Sequence, residues 1–569
     1  MPRRACACIL EWLRCAVPGF TVQTIPGIVM KANRLAVALA SLLLCSAPAF
    51  AAAPPSSAAK SEQSESLIQK LSKPLLSVTH GTVTVNGKAI SYEAVAGTLV
   101  IDGTGVNEGT PQVAMSYFAY FKQGADPAKR PITFLYNGGP GSSTMWLHMG
   151  AWGPKRVVTS DDTHTPAAPY HLVNNDYSLL DASDVVFIDM PGTGFGRLLS
   201  QGKDDAAREK SHKQLADEYW NIDGDAQAFS RFITQFLSKY NRWNSPKYLF
   251  GESYGTTRSA VVARILEEQD KVDLNGVILL SEVLDFRISP VAANINPDDD
   301  LPYVTALPTF AATAWYHHKL PKYDHGTLAQ LLKDSIAFAK GEYQQALSAG
   351  STLGPAKKRE VAEKLHDFTS LPVDYLMKAD LRVNSDMFTH QLLGDSDTTT
   401  GLLDTRYASP SMDPLAKEAD HDPQGAAIGS AFVSAFNSYV RNDLKFGQDM
   451  EYRPSVYGDF DWKFEHKQPG VQLVWNKGVN VLRDLAAAMK YNPKLKVMVN
   501  GGFYDLVTPF YGAIHEEGHL PIPQSLRKNI TYAFYPSGHM VYAHIPSLKQ
   551  LHDNVAAFID ATDNQGNGK

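Results

Sequence analysis

Cysteine is nearly absent from this chain of 569 residues. Its four cysteines, Cys6, Cys8, Cys15 and Cys45, all lie near the N-terminus, and no cysteine follows them. Beyond Cys45 the chain therefore has no disulfides, and a packed core must stabilise it. With 44% hydrophobic and 20% charged residues, the composition is typical of a globular protein and not of a disordered one.

An excess of positive charge is missing as well. The formal net charge is −6, and residues 1–51 contribute five basic residues against one acidic residue. The rest of the chain is therefore more acidic than the whole, which excludes the basic surface through which proteins bind nucleic acid. We predict no nucleic-acid partner, and the oligomeric state stays open.

The apolar run near the N-terminus is too short to span a bilayer comfortably. It covers residues 35–45, follows the basic segment 30–34 and precedes Ala49-Phe50-Ala51, a pattern typical of a secretory signal with its cleavage site. We therefore predict a signal region over 1–51, with Met30 as a candidate true start, and no stable membrane insertion after cleavage. Export without disulfides is typical of a bacterial envelope or secreted protein, so we expect a periplasmic or extracellular location.

The most informative motif is Gly251-Glu252-Ser253-Tyr254-Gly255. A short buried-strand pattern over 247–250 precedes it, and helix formers with apolar residues at helical spacing follow over 256–267. A serine on so sharp a strand-to-helix turn points outward, and the flanking glycines let the backbone bend without Cβ clashes. Ser253 is therefore a candidate nucleophile, the alternative being a glycine-rich turn that happens to hold a serine.

Two later loops carry the acid and the histidine that such a serine needs, in that order. The strand-like segment 495–500 runs into a loop with Asp505, and the strand-like segment 529–535 runs into a glycine turn with His539. In this arrangement Ser253 attacks the substrate, and His539 takes its proton and later returns it. Asp505 holds the imidazole in the required tautomer.

A glycine-rich run supplies the remaining component. The β-like segment 131–136 opens into Asn137-Gly138-Gly139-Pro140-Gly141-Ser142-Ser143. An oxyanion hole of this type combines the N–H group after the nucleophile with one from an earlier glycine loop. The predicted donors are the backbone N–H groups of Tyr254 and Gly139, and a tight turn without a ligand is the alternative.

These patterns predict an α/β-hydrolase fold, with a central mixed, mostly parallel sheet flanked by helices. A linker is expected over 52–75, and the core is expected over 76–285 and 471–569. Between them, over 286–470, the alternation of strands and helices gives way to Pro-, Asp- and aromatic-rich helical stretches. We interpret that segment as an inserted, mainly helical cap over the active site.

Together the motifs resemble the serine carboxypeptidase family, here as a secreted bacterial member. The matching pieces stand in family order: Asn137 to Ser143, Asp189-Met190-Pro191-Gly192-Thr193-Gly194-Phe195, Gly251 to Gly255, the Asp505 loop and Gly538-His539-Met540-Val541. The resemblance implies a serine-type carboxypeptidase that acts on peptide or protein C-termini, and we predict no cofactor and no metal. It also implies that Asn137 and Glu252 bind the terminal carboxylate, with Glu252 sharing a proton because two carboxylates repel.

Two positions depart from the family pattern. Ser142 stands where members often carry a cysteine, and an ungapped count from Asn137 places the family's second carboxylate-binding glutamate on Ala151. The side chain of an alanine cannot hydrogen-bond a carboxyl group. The candidate replacements are His148, Trp146 and Arg258. Without a replacement, strict specificity for a free C-terminus is lost, which leaves an esterase or acyltransferase on the same triad as the alternative function.

A separate motif, His515-Glu516-Glu517-Gly518-His519, fits the zinc-binding pattern H-E-x-x-H. That pattern needs a continuing helix, whereas a glycine lies inside it and prolines follow at once. We interpret the motif as a polar surface loop and keep a zinc metalloprotease using His515 and His519 as a less favoured function. A non-catalytic binding protein needs no complete triad and ranks last.

Overall fold

The computed structural model of the chain describes residues 66–323, 325–456, 460–471 and 479–564. The predicted signal region and all four cysteines lie outside these residues. The strands are β1 (Leu76–Val85), β2 (Lys88–Asp102), β3 (Pro111–Lys122), β4 (Ile132–Tyr136), β5 (Lys155–Val157), β6 (Leu172–Asn174), β7 (Asp184–Ile188), β8 (Arg197–Leu198), β9 (Lys247–Glu252), β10 (Gly276–Leu280), β11 (Thr398–Thr400), β12 (Ala408–Pro410), β13 (Lys496–Gly502) and β14 (Ile530–Tyr535).

Helices alternate with the later strands and fill most of the segment between β10 and β13. The α-helices are α1 (Met145–Leu147), α2 (Asp205–Tyr219), α3 (Ile222–Lys239), α4 (Tyr254–Glu268), α5 (Leu301–Tyr316), α6 (Leu328–Phe338), α7 (Gln344–Ala349), α8 (Pro355–Thr369), α9 (Val373–Lys378), α10 (Ser385–Leu392), α11 (Pro423–Asn442), α12 (Leu482–Tyr491), α13 (Phe510–Gly518), α14 (Gln524–Arg527) and α15 (Ile545–Thr562). Among these helices, none combines the length and the apolarity that crossing a membrane requires.

Ten strands form one sheet in the order β1-β2-β3-β7-β4-β9-β10-β13-β14, with β8 paired to β3. The pairs β1-β2, β2-β3 and β3-β7 are antiparallel. The strands from β7 to β14 in this order are all parallel to their neighbours. The predicted fold class, a mixed and mostly parallel sheet of the α/β-hydrolase type, is confirmed.

Both faces of the parallel strands are buried, because successive side chains of a strand point to opposite faces. Phe134 and Leu249 lie in a hydrophobic cluster with α3, α4 and α12. Their neighbours Leu135 and Phe250 lie in a second cluster with α11 and α15. The predicted apolar face of α3 is confirmed in the first cluster; its members are Phe229, Phe232, Ile233, Phe236 and Leu237.

The register of the parallel strands brings their carboxyl ends to one edge of the sheet. Glu252 at the end of β9 pairs with Leu280 of β10, which in turn pairs with Asn500 of β13. On either side, β4 ends at Tyr136 and β14 ends at Tyr535. The loops that follow these five strands therefore meet at one edge, which is where open α/β sheets bind their ligands.

Helices α5 to α10 share a hydrophobic cluster of their own. Within it, Phe310 of α5 stacks on Phe388 of α10 with ring centroids 4.0 Å apart. Leu506, the residue after the predicted acid, is fully buried in the same cluster. The inserted helical segment therefore packs directly on the loop that carries Asp505.

The structure adds two observations to the predicted domain plan. Residues 66–71, inside the predicted linker, are helical, and Leu71 is fully buried beside core residues; residues 52–65 lie outside the described residues. Helix α11, inside the predicted cap, packs on the sheet through Ile428, Phe432 and Phe436. An apolar helical face fits a cap and a core equally well, so the sequence pattern could not assign it.

Candidate active site

Ser253 connects β9 to α4 with φ 60° and ψ −131°, a conformation that non-glycine residues rarely adopt. Its N–H donates to the carbonyl of Leu280 (2.9 Å), and its own carbonyl accepts the N–H and the hydroxyl of Thr256 (2.8 and 2.7 Å). A Cβ on Gly251 would overlap the carbonyl oxygen of Gly255. The two glycines thus let the chain turn back on itself, and the predicted strand–turn–helix context of the motif is confirmed.

Asp505 and His539 form a buried pair on the loops after β13 and β14. Nδ1 of His539 lies 2.8 Å from Oδ2 of Asp505, with the two residues 4% and 0% exposed. Oδ1 of Asp505 accepts the N–H groups of Val507 and Thr508 (both 2.9 Å), and the Thr508 hydroxyl donates to Oδ2 (2.7 Å). A carboxylate held in this way accepts an Nδ1–H, which leaves Nε2 of the neutral ring as the base.

The charges around His539 favour its protonated form. Burial alone would lower the pKa of His539, but the negative charges of Asp505 and Glu252, with a smaller contribution from Asp422, raise it above its ordinary value. An imidazolium formed by taking a proton is therefore stabilised where it forms.

Ser253 and His539 are held by consecutive residues at the end of β10. Leu280 accepts the N–H of Ser253, and the hydroxyl of Ser281 donates to the carbonyl oxygen of His539 (2.6 Å). The N–H of Ser281 in turn donates to the carbonyl of Asn500 on β13 (2.8 Å). One strand end thus supports both loops, and the structure brings the three predicted triad residues to the same edge of the sheet.

The glycine run after β4 lies against the serine turn. A Cβ on Gly138 would overlap the backbone nitrogen of Tyr254, so only glycine permits this approach. Gly139 has φ 105°, which also favours glycine. Within the described residues, the N–H groups of Gly139 and Tyr254 have no hydrogen-bond acceptor. Both are therefore available to a ligand, as the prediction of an oxyanion hole requires.

The carboxyl group of Glu252 lies beside the nucleophile turn and is 4% exposed. Its Oε1 accepts a hydrogen bond from the hydroxyl of Tyr542 (3.2 Å), and its Oε2 has no partner among the residues that the structure describes. Burial raises the pKa of Glu252 to about 7, although His539 and the hydrogen bond from Tyr542 act in the opposite direction. Below that pH the carboxyl group is neutral and offers a proton to an acceptor.

His148, one candidate replacement for the acid missing at Ala151, is a core residue. Its ring stacks on Phe187 with centroids 4.3 Å apart, and Nε2 hydrogen-bonds the hydroxyl of Tyr120 (2.6 Å). Burial lowers the pKa of His148 to about 3. A neutral imidazole inside this aromatic cluster does not bind a carboxylate, so that hypothesis is wrong.

Arg258 and Trp146, the other candidates, also have partners. Arg258 is fully buried, forms an ion pair with Asp225 (2.7 Å) and donates to the carbonyl oxygen of Asn137 (2.8 Å). It therefore supports the loop of Asn137 from behind and does not reach a substrate. The indole N–H of Trp146 donates to Oγ of Ser142 (3.1 Å).

The first four residues of the H-E-x-x-H motif lie on α13, so the predicted polar surface loop is wrong. Glu516 and Glu517 are buried, and Oε2 of Glu516 accepts the N–H of Leu284 after β10 (2.7 Å). His519 caps the helix end, with its Nδ1 bonded to the carbonyl of His515 (2.6 Å). The described parts of the chain hold no group of three side chains suited to a metal ion. Glu516 thus contributes to the fold by binding the backbone after β10.

Sequence reasoning missed the residues that hold the histidine turn. Asp404, from the inserted segment, accepts the N–H of Gly538 (3.1 Å) and forms an ion pair with Arg406 (2.7 Å). The carbonyl of Leu403 accepts the N–H of His539 (2.6 Å). No motif marks these residues, because Asp404 stands 134 positions before Gly538 in an irregular stretch.

Comparison with known proteins finds similarity to carboxypeptidases. Residues 106–295, about a third of the chain, match the model of the serine carboxypeptidase family. The chain is 27% identical over 182 residues to carboxypeptidase S1 of Penicillium janthinellum, covering 32% of this chain and 36% of that protein. It is 30% identical over 161 residues to a carboxypeptidase Y homolog of Arthroderma benhamiae, covering 28% and 27%. The predicted resemblance to this family is confirmed.

The matching part is limited in length. A pheromone-processing carboxypeptidase of Phytophthora infestans is 26% identical over 148 residues, covering 24% of this chain and 21% of that protein. The chain thus aligns with between 21% and 36% of the length of these three relatives.

Solved structures of hydrolases also align with the chain. Proline iminopeptidase of Mycobacterium smegmatis aligns with a TM-score of 0.32 and 12% identity, covering 85% of this chain and 99% of that one. An epoxide hydrolase of Aspergillus niger aligns with a TM-score of 0.28 and 14% identity, covering 83% and 79%.

Proposed function

We propose that this protein is a serine carboxypeptidase, which removes C-terminal residues from peptides through an acyl-enzyme on Ser253. The observation that carries the proposal is the buried hydrogen bond between Asp505 and His539, at the sheet edge where Ser253 occupies its strained turn. The family match over residues 106–295 includes that turn.

In the first half of the reaction, Oγ of Ser253 attacks the scissile carbonyl carbon while Nε2 of His539 takes the hydroxyl proton. Asp505 keeps Nδ1 protonated and stabilises the imidazolium. The negative charge that develops on the carbonyl oxygen is stabilised by the N–H groups of Gly139 and Tyr254. The C–N bond then breaks, and His539 gives its proton to the leaving amine.

In the second half, a water molecule attacks the ester carbonyl of the acyl-enzyme. His539 takes a proton from this water and returns it to Oγ of Ser253 as the ester bond breaks. The shortened peptide leaves as a carboxylic acid, and Ser253 is restored.

Selection of the C-terminus is assigned to Asn137 and Glu252. The amide group of Asn137 donates to the terminal carboxylate, and neutral Glu252 donates from Oε2. Once Glu252 ionises, it repels that carboxylate and binding weakens. The proposed substrates are therefore peptides and protein C-termini with a free carboxylate.

Ala151 favours a second candidate function, an esterase or acyltransferase on the same triad. Its methyl group contributes no hydrogen bond, and neither His148 nor Arg258 takes over the missing contact. In that case the triad chemistry is unchanged and only the demand for a free carboxylate is lost.

Export to a bacterial periplasm or to the medium is part of the proposal. It rests on the basic segment 30–34, the apolar segment 35–45 and the Ala49-Phe50-Ala51 site. N-terminal sequencing of the protein recovered from outside the cytoplasm should give a chain that starts at Ala52. A chain that starts upstream of the apolar segment contradicts cleavage.

The test is a panel of three matched substrates: an N-blocked dipeptide, its C-terminal amide and the corresponding ester. Wild type should hydrolyse the free-acid peptide with a much higher kcat/KM than the amide, and Ser253→Ala should hydrolyse none of them. Dialysis against a chelator and the variant His515→Ala should leave the rates intact. Equal rates on acid and amide favour the esterase or acyltransferase, and loss restored by zinc favours a metalloprotease.

A further inference from the structure

Tyr542 lies against the turn that contains Ala151. It is 1% exposed and follows His539 by three positions. A Cβ on Gly150 would come within 2.5 Å of the Tyr542 ring, so the glycine allows the ring to pack on the turn His148–Trp152. From this place the Tyr542 hydroxyl reaches Oε1 of Glu252 at 3.2 Å. A tyrosine hydroxyl from another loop thus contacts Glu252 beside the turn that contains Ala151.

The hydroxyl of Tyr542 also decides which oxygen of Glu252 carries the proton. It has a single hydrogen, and the hydroxyl lies 3.2 Å from Oε1 of Glu252 as the donor of that hydrogen bond. The hydroxyl hydrogen is therefore directed to Oε1 of Glu252, which must act as an acceptor. The proton of a neutral Glu252 then resides on Oε2, the buried oxygen without a partner among the described residues.

The other charged groups around Glu252 affect whether its carboxyl group is ionised. They do not decide which of its two oxygens carries the proton. His539 faces it from the loop after β14 and favours its ionised form, whereas Asp505 faces it from the loop after β13 and opposes ionisation. Burial and the charge of Glu252 raise the pKa of Tyr542 well above its ordinary value. Tyr542 therefore remains a donor at every pH at which Glu252 titrates.

We propose that Tyr542 is a positioning residue of the carboxylate site: it fixes Oε1 of Glu252 as an acceptor and so directs the acid's proton through Oε2 to the terminal carboxylate of the substrate. The inference rests on the proposed function of the same site. It extends that function by naming a neutral hydroxyl as the partner of the acid, where a second carboxyl group would otherwise share the proton.

The test is Tyr542→Phe, assayed with a free-acid peptide and the matching ester. Loss of one hydrogen bond that orders the acid should raise KM for the free-acid peptide about fivefold to tenfold more than KM for the ester, with kcat little changed. The alkaline rise in KM should move to higher pH, because a donor that stabilised ionised Glu252 is gone. A merely structural role would raise both KM values together and leave the pH of that rise unchanged.

Two further variants keep the inference open to refutation. Tyr248→Phe removes a buried hydroxyl that donates to the carbonyl of Ile559 (3.1 Å) and should behave as wild type in this ratio. Gly150→Ala keeps the Tyr542 hydroxyl but displaces its ring, and should reproduce the selective rise in KM.

If wild type prefers free acids and neither Tyr542→Phe nor Gly150→Ala changes that preference, this inference is wrong and the proposed function stands. If wild type shows no preference for free acids, the proposed function itself is wrong.

Discussion

The carboxylate of Asp404 lies 3.1 Å from the backbone nitrogen of Gly538 and accepts its hydrogen. Asp404 belongs to the inserted helical segment, whereas Gly538 precedes the histidine of the proposed triad. Leu506, on the acid loop, is buried in the hydrophobic cluster of the same insertion. The insertion thus holds both the acid loop and the histidine loop. We expect substitutions at the contact between Asp404 and Gly538 to change kcat, although neither residue is proposed to contact the substrate.

Asp404→Asn should lower kcat, leave KM nearly unchanged and reduce the melting temperature. The variant leaves Arg406 without its nearest partner, and an uncompensated buried charge lowers the free energy of unfolding by about 3–5 kcal/mol. Because Asp161 lies 3.0 Å from Arg406 and still pairs with it, we expect a loss near the lower value. The control is Asp374→Asn, whose side chain is 92% exposed and pairs with Arg359 at 3.5 Å. The control should behave as wild type. Wild-type kcat and melting temperature in Asp404→Asn would contradict this role.

Gly251→Ala tests the geometry of the serine turn. The added Cβ overlaps the carbonyl of Gly255, so the turn must open and Ser253 must shift. We expect kcat to fall by about 100-fold or more, since misplacing a reacting group by 1 Å has that effect. Gly429→Ala on α11, where a Cβ meets nothing within 4 Å, should keep full activity and gain slight stability. Equal activity of the two variants would refute the proposed need for a glycine at 251.

His466 predicts a loss of stability at alkaline pH. Its Nδ1 lies 2.7 Å from Asp223 and its Nε2 lies 2.8 Å from Asp484. Burial alone would lower the pKa of His466, but the two carboxylates raise it to about 9. A histidine with a raised folded pKa stabilises the fold fully below its unfolded pKa, and that contribution disappears as the pH rises through the folded value. As the pH rises from about 6.5 to 9, the free energy of unfolding should decrease by about 3 kcal/mol because of this residue.

Denaturant titrations across that pH range measure the effect of His466. His466→Gln should show a shallower decrease in the free energy of unfolding than wild type. His80→Gln, at an exposed position, should keep the wild-type slope. The account fails if the His466 and His80 variants have the same slope.

Glu252→Gln should change both limbs of the pH profile. Glutamine donates at every pH, so KM for free-acid peptides should no longer rise above about pH 7, where wild-type Glu252 ionises. The negative charge of Glu252 also contributes to the raised pKa of His539. Its removal should therefore move the acid limb of kcat/KM for ester substrates to lower pH. An unchanged acid limb and a persistent alkaline rise in KM would show that Glu252 does not act on either group.

Local patterns explain what could be predicted from the sequence. Gly251 is required by an overlap with Gly255, four residues away. Asp505 and His539 each follow a strand that hydrophobic residues mark clearly. The nine-residue helix α13 ends at Gly518, and the prolines that follow lie beyond that end as ordinary stop signals. The glycine inside the motif and these prolines favour a loop in the sequence, although the helix has already formed before them.

Contacts between distant segments explain what could not be predicted. Asp404 meets Gly538 from 134 positions away, and Tyr542 meets Glu252 from 290 positions away. No local sequence pattern predicts such contacts, because they depend on how the insertion and the last loops pack on the sheet. Helix α11 illustrates the same limit, because its apolar face suits a cap as well as the core.

Covalent labelling of Ser253 tests the central claim most directly. A fluorophosphonate probe, whose fluoride is displaced by an activated serine hydroxyl, is incubated with wild type, Ser253→Ala and His539→Ala, and the labelled peptide is mapped by mass spectrometry. The account predicts one label, on Ser253, in wild type, much slower labelling of His539→Ala, and none in Ser253→Ala, whose turnover should fall by about a million-fold. A label on another residue, or peptide hydrolysis that persists in Ser253→Ala, would contradict the account.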